Sequence, residues 1–249
     1  MISLFRKIRQ NLLTQNRVTR YLAYALGEIL LVVIGILFAL SINTWNENRK
    51  QNELKMVYIS RLISDIQQDT LKIQLLKKHL EDSQEIIKNT INILNSEADI
   101  DEIFQSMKSY FDKGWMVRSF LTSDNTYIEL EQTGNMGILK NSVKVEDIIQ
   151  YYTFIRSSKE IDQGNREWLT PLDHGITEKT PALELDPATQ GLFKTKDTLV
   201  NVEKILAYKE LLERGAAAHY YYNQSLLYRL TAIEKNAKIL IQTLDSELK

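Results

Sequence analysis

One apolar stretch, from Tyr21 to Asn43, limits what this chain can fold into more than any other feature. Its central 21 residues, Leu22 to Ile42, contain a single ionisable side chain, Glu28. A helix of that length covers roughly 30 Å, which is the hydrocarbon thickness of a bilayer. The sequence therefore predicts three parts: a basic cytoplasmic segment at 1–20, a transmembrane helix at 21–43 and an extracytoplasmic domain at 44–249.

The charges on either side of this stretch predict its orientation. Five basic and no acidic side chains precede Glu28, whereas the charges that follow the stretch nearly cancel. Basic flanks stay on the cytoplasmic side, so we expect the N-terminus inside. A cleaved signal peptide is the alternative, because Ala39 to Ser41 imitates a cleavage site. The stretch is longer than the roughly 7–15 apolar residues of a signal peptide, which favours an uncleaved anchor.

The residues before the stretch suit a membrane surface. Ile2 to Leu13 has an apolar face, formed by Leu4, Phe5, Ile8 and Leu12, and a basic face. This pattern predicts an amphipathic helix in the headgroup layer, with membrane lipids as its partners. A solvated basic tail is the alternative.

The apolar stretch has an internal pattern of its own. Small residues recur at multiples of four, at Ala23, Gly27, Gly35 and Ala39. This spacing lets a second membrane helix approach closely, although Gly and Ala are also common in membrane helices without such a role. Glu28 lies within reach of the headgroups, and we expect it to have a structural or assembly role rather than to form an ion pathway. Trp45 suits the membrane–water interface and is predicted as an anchor.

Composition excludes several functional classes for the remainder of the chain. Residues 51–249 carry 24 basic and 30 acidic side chains, a net charge of −6, so nothing electrostatic favours nucleic acid as a partner. The chain has no Cys, which excludes disulfides, thiolate metal sites and a Cys nucleophile. We expect no cofactor.

Two long helical patterns predict an all-α fold, in which a single transmembrane helix precedes an elongated antiparallel helical bundle. Residues 46–94 and 198–248 each repeat apolar residues at alternating spacings of three and four. Asp69, Ser83 and Thr90 occupy seam positions in the first pattern, which favours a bundle over a two-stranded coiled coil. Shorter helices are expected between them. Residues 170–197 contain all three prolines and are predicted as an irregular loop.

The search for catalytic chemistry gives little. No glycine-rich phosphate loop, nucleophile elbow or HExxH motif is present, and the three histidines lie far apart in the sequence. Asp173, His174 and Glu178 form a conceivable acid–base group in the 170–197 loop, with a solvated turn as the simpler interpretation. We therefore expect no enzyme, and a hydrolase-like activity from that loop is the minor alternative.

One cluster in the last helix has two interpretations. His219 and Asn223 occupy seam positions where Leu is usual, three alanines precede them, and Tyr220 and Tyr222 lie between them. Polar groups on a buried seam need partners. His219, Tyr220, Tyr222 and Asn223 are therefore predicted either to line a ligand pocket or, more simply, to fix helix register by pairing with Asp69 or Ser83.

The N-terminal sequence resembles a bacterial family of unknown function that is associated with Bacteroidetes-type bacteria. The resemblance rests on Tyr24 to Leu40 (YALGEILLVVIGILFAL) and Ile42 to Glu47 (INTWNE), which match the pattern AxGExxLVVIGILIALxINxWNE. Phe5 to Arg9 fits the family's opening FRKIRxxLL, and Phe38 replaces the more usual Ile. Looser matches lie at Thr126 to Leu130, Gly134 and Leu139 to Asn141. The resemblance implies a single-pass membrane protein with a helical exterior domain and no known activity.

Together these features predict a non-enzymatic interaction or assembly module in a bacterial inner membrane, with its domain in the periplasm. Its expected partner is a second copy of the chain or another membrane or periplasmic protein. The alternative is a ligand-sensing periplasmic bundle that uses the region around His219.

Overall fold

The computed structural model describes residues 18–115, 117–140, 145–194 and 197–248. These residues form eight α-helices and no strand, so the predicted all-α fold is confirmed. The predicted amphipathic helix at Ile2–Leu13 lies outside the described residues. The helices are α1 (Val18–Leu94), α2 (Ile100–Ser109), α3 (Asn125–Thr133), α4 (Met136–Leu139), α5 (Val145–Lys179), α6 (Ala182–Leu185), α7 (Thr198–Ala207) and α8 (Lys209–Ser246).

The chain divides into two compact units, Met1–Met56 and Val57–Lys249. The first unit contains the predicted transmembrane stretch, whose large apolar side chains from Leu26 to Ile42 are all exposed. Among the described residues, α1 is the one helix with a window apolar and long enough to cross a membrane, with a mean hydropathy of 2.6. It is therefore a candidate membrane span.

The main core of the second unit forms where α1, α5 and α8 pack together. The apolar seam predicted from Ile59 to Leu94 is buried, and so are the three polar residues that interrupt it. Side-chain hydrogen bonds from Lys77 and Gln74 of α1 to Glu234, and from Asn223 to Ser83, show that α8 runs antiparallel to α1. The antiparallel pairing expected from the two long patterns is confirmed.

A second apolar cluster lies towards the C-terminal end of α1. It joins Ile87 and Leu94 of α1 to residues of α2, α6 and α7. After Ser109 the chain widens into one π-helical turn, Tyr110–Gly114, in which the Trp115 N–H donates to the Tyr110 carbonyl at 3.0 Å. This turn places Tyr110 and Phe111 in the interior.

One N–H group at the start of α3 and one just before it donate hydrogen bonds to carboxylates of α1. The Thr126 N–H donates to the Asp65 carboxylate at 3.2 Å, and the Ser123 N–H just before the helix donates to the Asp69 carboxylate at 2.6 Å. Asp124, the residue before the helix, makes no side-chain capping bond. Gly134 ends the helix with φ +70°, the left-handed conformation that glycine favours.

The prediction of a loop over 170–197 is wrong for its first part. Helix α5 continues through Pro171 to Lys179. Pro171 cannot donate the usual backbone hydrogen bond. Burial of Leu169 and Ile176 on either side of it holds the helix together, and the Thr170 hydroxyl donates to the Arg166 carbonyl at 2.9 Å. Packing therefore overrides the local effect of the proline.

The predicted final helix, 198–248, is two helices. Tyr208 leaves the helical conformation, with φ −117° and ψ 27°, and separates α7 from α8. The seam positions continue across this break, because Val202, Ile205 and Leu212 are all buried. The apolar repeat thus predicted which residues are buried but not the interruption of the backbone.

Candidate functional site

His219 lies in the interior of the second unit, where it joins three elements of the fold. Its side chain belongs to α8 and is only 1% exposed. Its Nδ1 atom lies 2.9 Å from the hydroxyl of Tyr110 in the π-helical turn. Its Nε2 atom lies 2.9 Å from Oδ1 of Asp173 in α5, although this second pair lacks the alignment of a hydrogen bond.

Tyr110 keeps its hydroxyl proton in this interior. Burial, and to a lesser extent the negative charge of Asp173, raises the pKa of Tyr110. A hydroxyl can donate or accept a hydrogen bond, so the direction of the bond between Tyr110 and His219 depends on the tautomer of the imidazole.

Gly114 makes room for Tyr110, and Gly215 makes room for Ile176 beside it. A Cβ atom on Gly114 would lie 2.6 Å from Cδ2 of the tyrosine ring. A Cβ atom on Gly215, one turn before His219 in α8, would lie 3.7 Å from the tyrosine hydroxyl and 2.3 Å from Cδ1 of Ile176. Gly215 thus lets α8 approach α5 closely beside the Tyr110–His219 pair.

Asn223 has a separate set of partners. Its side-chain amide donates to the Ser83 hydroxyl at 2.9 Å, and Ser83 in turn donates to the Gly114 carbonyl at 2.9 Å. The expected pairing of Asn223 with Ser83 is therefore confirmed. His219 pairs with neither Asp69 nor Ser83.

Tyr222 belongs to a third polar group. Its hydroxyl donates to the buried Asp162 carboxylate of α5 at 2.7 Å and also lies 3.1 Å from the Arg118 carbonyl. Burial and the hydrogen bond to Asp162 raise the pKa of Tyr222. The nearby guanidinium of Arg229 is buried, and burial lowers its pKa against the opposing effect of Asp162.

The residues predicted to line one pocket therefore point in different directions. His219, Tyr222 and Asn223 are buried against three different partners, and Tyr220 is partly buried beneath the ammonium group of Lys88, which lies 5.3 Å from its ring centre. They connect α8 to its neighbours, and none of these four residues lines the groove that opens beside Asp173.

That groove has a volume of about 470 Å³ and opens beside Asp173. Asp173 is 31% exposed, so its carboxylate faces the groove as well as His219. Asp173 and His174 of the predicted acid–base group both line the groove, whereas Glu178 lies exposed on α5 and is not among its lining residues. The lining consists of Trp115, Val117, Thr170, Asp173, His174, Thr177 and Asp186.

This arrangement connects the groove to the interior. A molecule that binds to Asp173 would contact the carboxylate that faces His219, and His219 contacts Tyr110 in turn. The groove wall carries two carboxylates and one histidine but neither Lys nor Arg. Its chemistry suits a polar or cationic ligand.

The residues predicted for membrane packing are placed in the first unit. A Cβ atom on Gly27 or Gly35 would meet no atom within 4 Å, and Ala39 is exposed. Glu28 is partly buried, while the side chain of Ala23 lies outside those that the structure describes. Trp45 is exposed, with the guanidinium of Arg49 5.7 Å from its ring centre. The stripe at Gly27 and Gly35 thus leaves open space on the helix.

Sequence reasoning missed the partners of His219 and Tyr222. Nothing in the spacing of Tyr110 connects it to His219, which lies 109 residues later. Asp173 was assigned to a loop because of Pro171. In the structure it lies on the face of α5 that is directed towards α8. Asp162, which is buried, and Asp173, which is partly exposed, are 11 residues apart on α5 and therefore share a helix face. That spacing was the available signal.

Comparison with known proteins gives one finding. Residues 28–149 match the model of a family of unknown function (DUF6090). The match begins inside the candidate membrane span and ends at the start of α5. Searches of curated proteins and of solved structures gave no match.

Proposed function

We propose that this protein holds a helical binding domain at a bacterial inner membrane and acts by binding rather than by catalysis. In this proposal the N-terminus is cytoplasmic, residues 21–43 span the bilayer, and the domain lies in the periplasm. The observation that carries it is the exposed apolar surface from Leu26 to Ile42, none of which packs inside the protein. An apolar surface of this length is stable when lipid or another chain covers it.

The polar residues of the interior support a binding role over a catalytic one. His219, Tyr222 and Asn223 each have their own buried partner and connect α8 to the π-helical turn, α5 and α1. Groups held in this way fix the packing of the bundle. In this proposal the interior residues stabilise the fold, and the surface of the domain binds partners.

A direct test is fractionation of cells that express the full chain with a reporter at its C-terminus. We expect the protein to remain in membranes after alkaline carbonate extraction and an alkaline phosphatase fusion to be active. A soluble protein, or activity only from a reporter that works in the cytoplasm, would contradict the proposal.

The partner that we propose for the anchor is a second copy of the chain. Gly27 and Gly35 leave a surface on which another helix can approach closely. In-membrane cross-linking should trap a dimer, and Gly35→Leu should reduce it. Cross-linking that finds only monomer, with or without Gly35→Leu, would contradict this part of the proposal.

A second candidate function is ligand sensing at the groove beside Asp173. It is favoured by the contact of Asp173 with His219, which connects the groove to the core. We expect some member of a metabolite panel to raise the melting temperature of the full chain, and His219→Leu to abolish that shift. A panel without any shift would count against sensing and would leave the membrane proposal intact.

A further inference from the structure

A groove of about 340 Å³ lies between α2, α6, α7 and the short 3₁₀ turn Gln190–Leu192. It is separate from the groove beside Asp173 and shares no lining residue with it. Its volume lies in the range that holds small molecules. The lining includes Phe104, Lys108, Glu184, Phe193, Lys194 and Asn201.

Asn201 of α7 contributes a buried amide to this groove. The residue is only 5% exposed, and its Oδ1 atom has no hydrogen-bond partner among the described residues. A buried polar atom without a partner costs free energy. The terminal torsion of an asparagine side chain has a broad energy minimum, so the amide can turn towards a molecule in the groove. An N–H group of that molecule would satisfy the oxygen.

Two lysines of the groove are open to a ligand. Lys108 is partly buried and Lys194 is exposed, and within the part of the chain that the structure describes neither forms a hydrogen bond or an ion pair. Glu184 is the one carboxylate among the lining residues; it has an interaction of its own, but not with either lysine. The two ammonium groups are therefore available to an anion, and a carboxylate makes charge-assisted hydrogen bonds to such groups.

The aromatic residues give the groove an apolar part. Phe104 of α2 is partly buried against the second apolar cluster, and Phe193 is 41% exposed. Leu185 of α6, which also lines the groove, is buried in that cluster. A ligand that complements this surface needs an apolar group beside its polar ones.

We propose that this groove binds an N-acyl amino acid with an apolar side chain, either as a free molecule or as the C-terminal residue of a peptide. The carboxylate lies at Lys108 and Lys194, and the amide N–H donates to Asn201. The side chain packs against Phe104 and Phe193. An N-acyl amino acid carries all three groups on one carbon atom, whereas a fatty acid lacks the amide and a neutral amide lacks the charge.

The test uses the full chain in phosphatidylcholine nanodiscs, with empty nanodiscs as the blank. N-acetyl-L-phenylalanine is titrated by calorimetry and compared with two analogues. N-acetyl-L-phenylalaninamide lacks the negative charge, and 3-phenylpropanoate lacks the N–H group. We expect N-acetyl-L-phenylalanine to bind saturably, about tenfold more tightly than the first analogue and about fivefold more tightly than the second. Equal binding of all three, or no saturable binding, would overturn the proposal.

Two variants and a control locate the site. Asn201→Leu should weaken N-acetyl-L-phenylalanine about fivefold and leave 3-phenylpropanoate unchanged, because only the first ligand bonds to the amide. Unchanged binding of 3-phenylpropanoate also shows that this variant folds. Lys108→Gln should weaken both carboxylates about tenfold and leave N-acetyl-L-phenylalaninamide unchanged. Lys78→Gln changes an exposed lysine outside the groove and should have no effect.

A peptide distinguishes the two sources of the ligand. An acetylated peptide of glycines that ends in phenylalanine should bind as tightly as N-acetyl-L-phenylalanine if the ligand is a peptide C-terminus, and more weakly if it is a free molecule. Binding that neither Asn201→Leu nor Lys108→Gln weakens would place the ligand elsewhere and overturn the proposal. Because this groove is separate from the Asp173 groove, any of these results leaves the ligand-sensing proposal to its own test.

Discussion

Helix α1 contains two apolar stretches that resemble each other in composition and differ in what covers them. From Leu26 to Ile42 the large apolar side chains are exposed, Leu30 by 61% for example, whereas the seam residues from Ile59 to Leu94 are buried against other helices. The second stretch also admits polar residues, such as Ser83, because neighbouring elements supply their hydrogen-bond partners. The comparison teaches that available partners, rather than hydrophobicity alone, separate a buried helix face from the exposed face of a candidate membrane span.

A charge introduced into each stretch gives the largest expected contrast. Ile66→Asp places a carboxylate in the closed core and should unfold the second unit, at a cost above about 4 kcal/mol. Ile34→Asp should leave the unfolding of that unit unchanged and disfavour membrane insertion by about 3 kcal/mol. Thermal unfolding and carbonate extraction measure the two effects. A lower melting temperature for Ile34→Asp would show that the first stretch packs against protein.

A single added methyl group distinguishes the stretches more finely. In Gly114→Ala the new methyl meets the ring of the buried Tyr110, and we expect a loss of about 2 to 3 kcal/mol in the free energy of unfolding. Gly35→Ala adds the same group to open space and should cost nothing in that measurement. Chemical denaturation measures the free energy of unfolding of both variants. Equal stability of the two variants would contradict the close packing around Tyr110.

Removal of one hydroxyl tests the polar residues that interrupt the buried apolar seam of α1. Ser83→Ala leaves the Asn223 amide and the Gly114 carbonyl without their buried partner, and we expect a loss of about 1 to 2 kcal/mol. Ser41→Ala in the first stretch removes only a hydroxyl that donates to the Leu37 carbonyl of its own helix. Denaturation should show no change for Ser41→Ala. An unchanged stability of Ser83→Ala would mean that water replaces the hydroxyl.

The smallest expected difference is in how the free energy of unfolding depends on pH. Hydrogen bonds from Lys238 and Lys77 lower the pKa of Glu234 from 4.5 to about 2. The folded state therefore gains stability from ionised Glu234 above pH 4.5 and loses it as the pH falls towards 2, by about 1 kcal/mol after solvent screening. Glu234→Gln should flatten this part of the pH–stability curve. Glu53→Gln, which removes an exposed partner of Arg49, should leave the curve unchanged.

The regular parts of the fold were predictable because a buried helix face leaves a period in the sequence. The seam from Ile59 to Leu94 and the positions from Val202 to Leu244 were read from spacing alone, and so were the polar interruptions at Asp69 and Ser83. Whether a position is buried depends largely on the side chain that it carries, which can be read from the sequence. The end of α3 at Gly134 is also local, because glycine favours the left-handed conformation found there.

The candidate site was less predictable because its partners come from distant parts of the chain. The contacts of His219 join residues 109 and 46 positions away, and no local pattern encodes such pairs. The continuation of α5 through Pro171 was missed because packing of Leu169 and Ile176 outweighs one lost backbone bond. The carboxylates of Asp65 and Asp69 that satisfy the start of α3 were missed for a related reason, since they belong to another helix.

The distance along the chain between α1 and α8 has a consequence for folding during synthesis. Residues from Lys209 onward supply hydrogen-bond partners for both α1 and α5. A ribosome releases α1 before α8, so the apolar seam of α1 lacks these partners until α8 has been made. During that interval the uncovered seam exposes the nascent chain to aggregation.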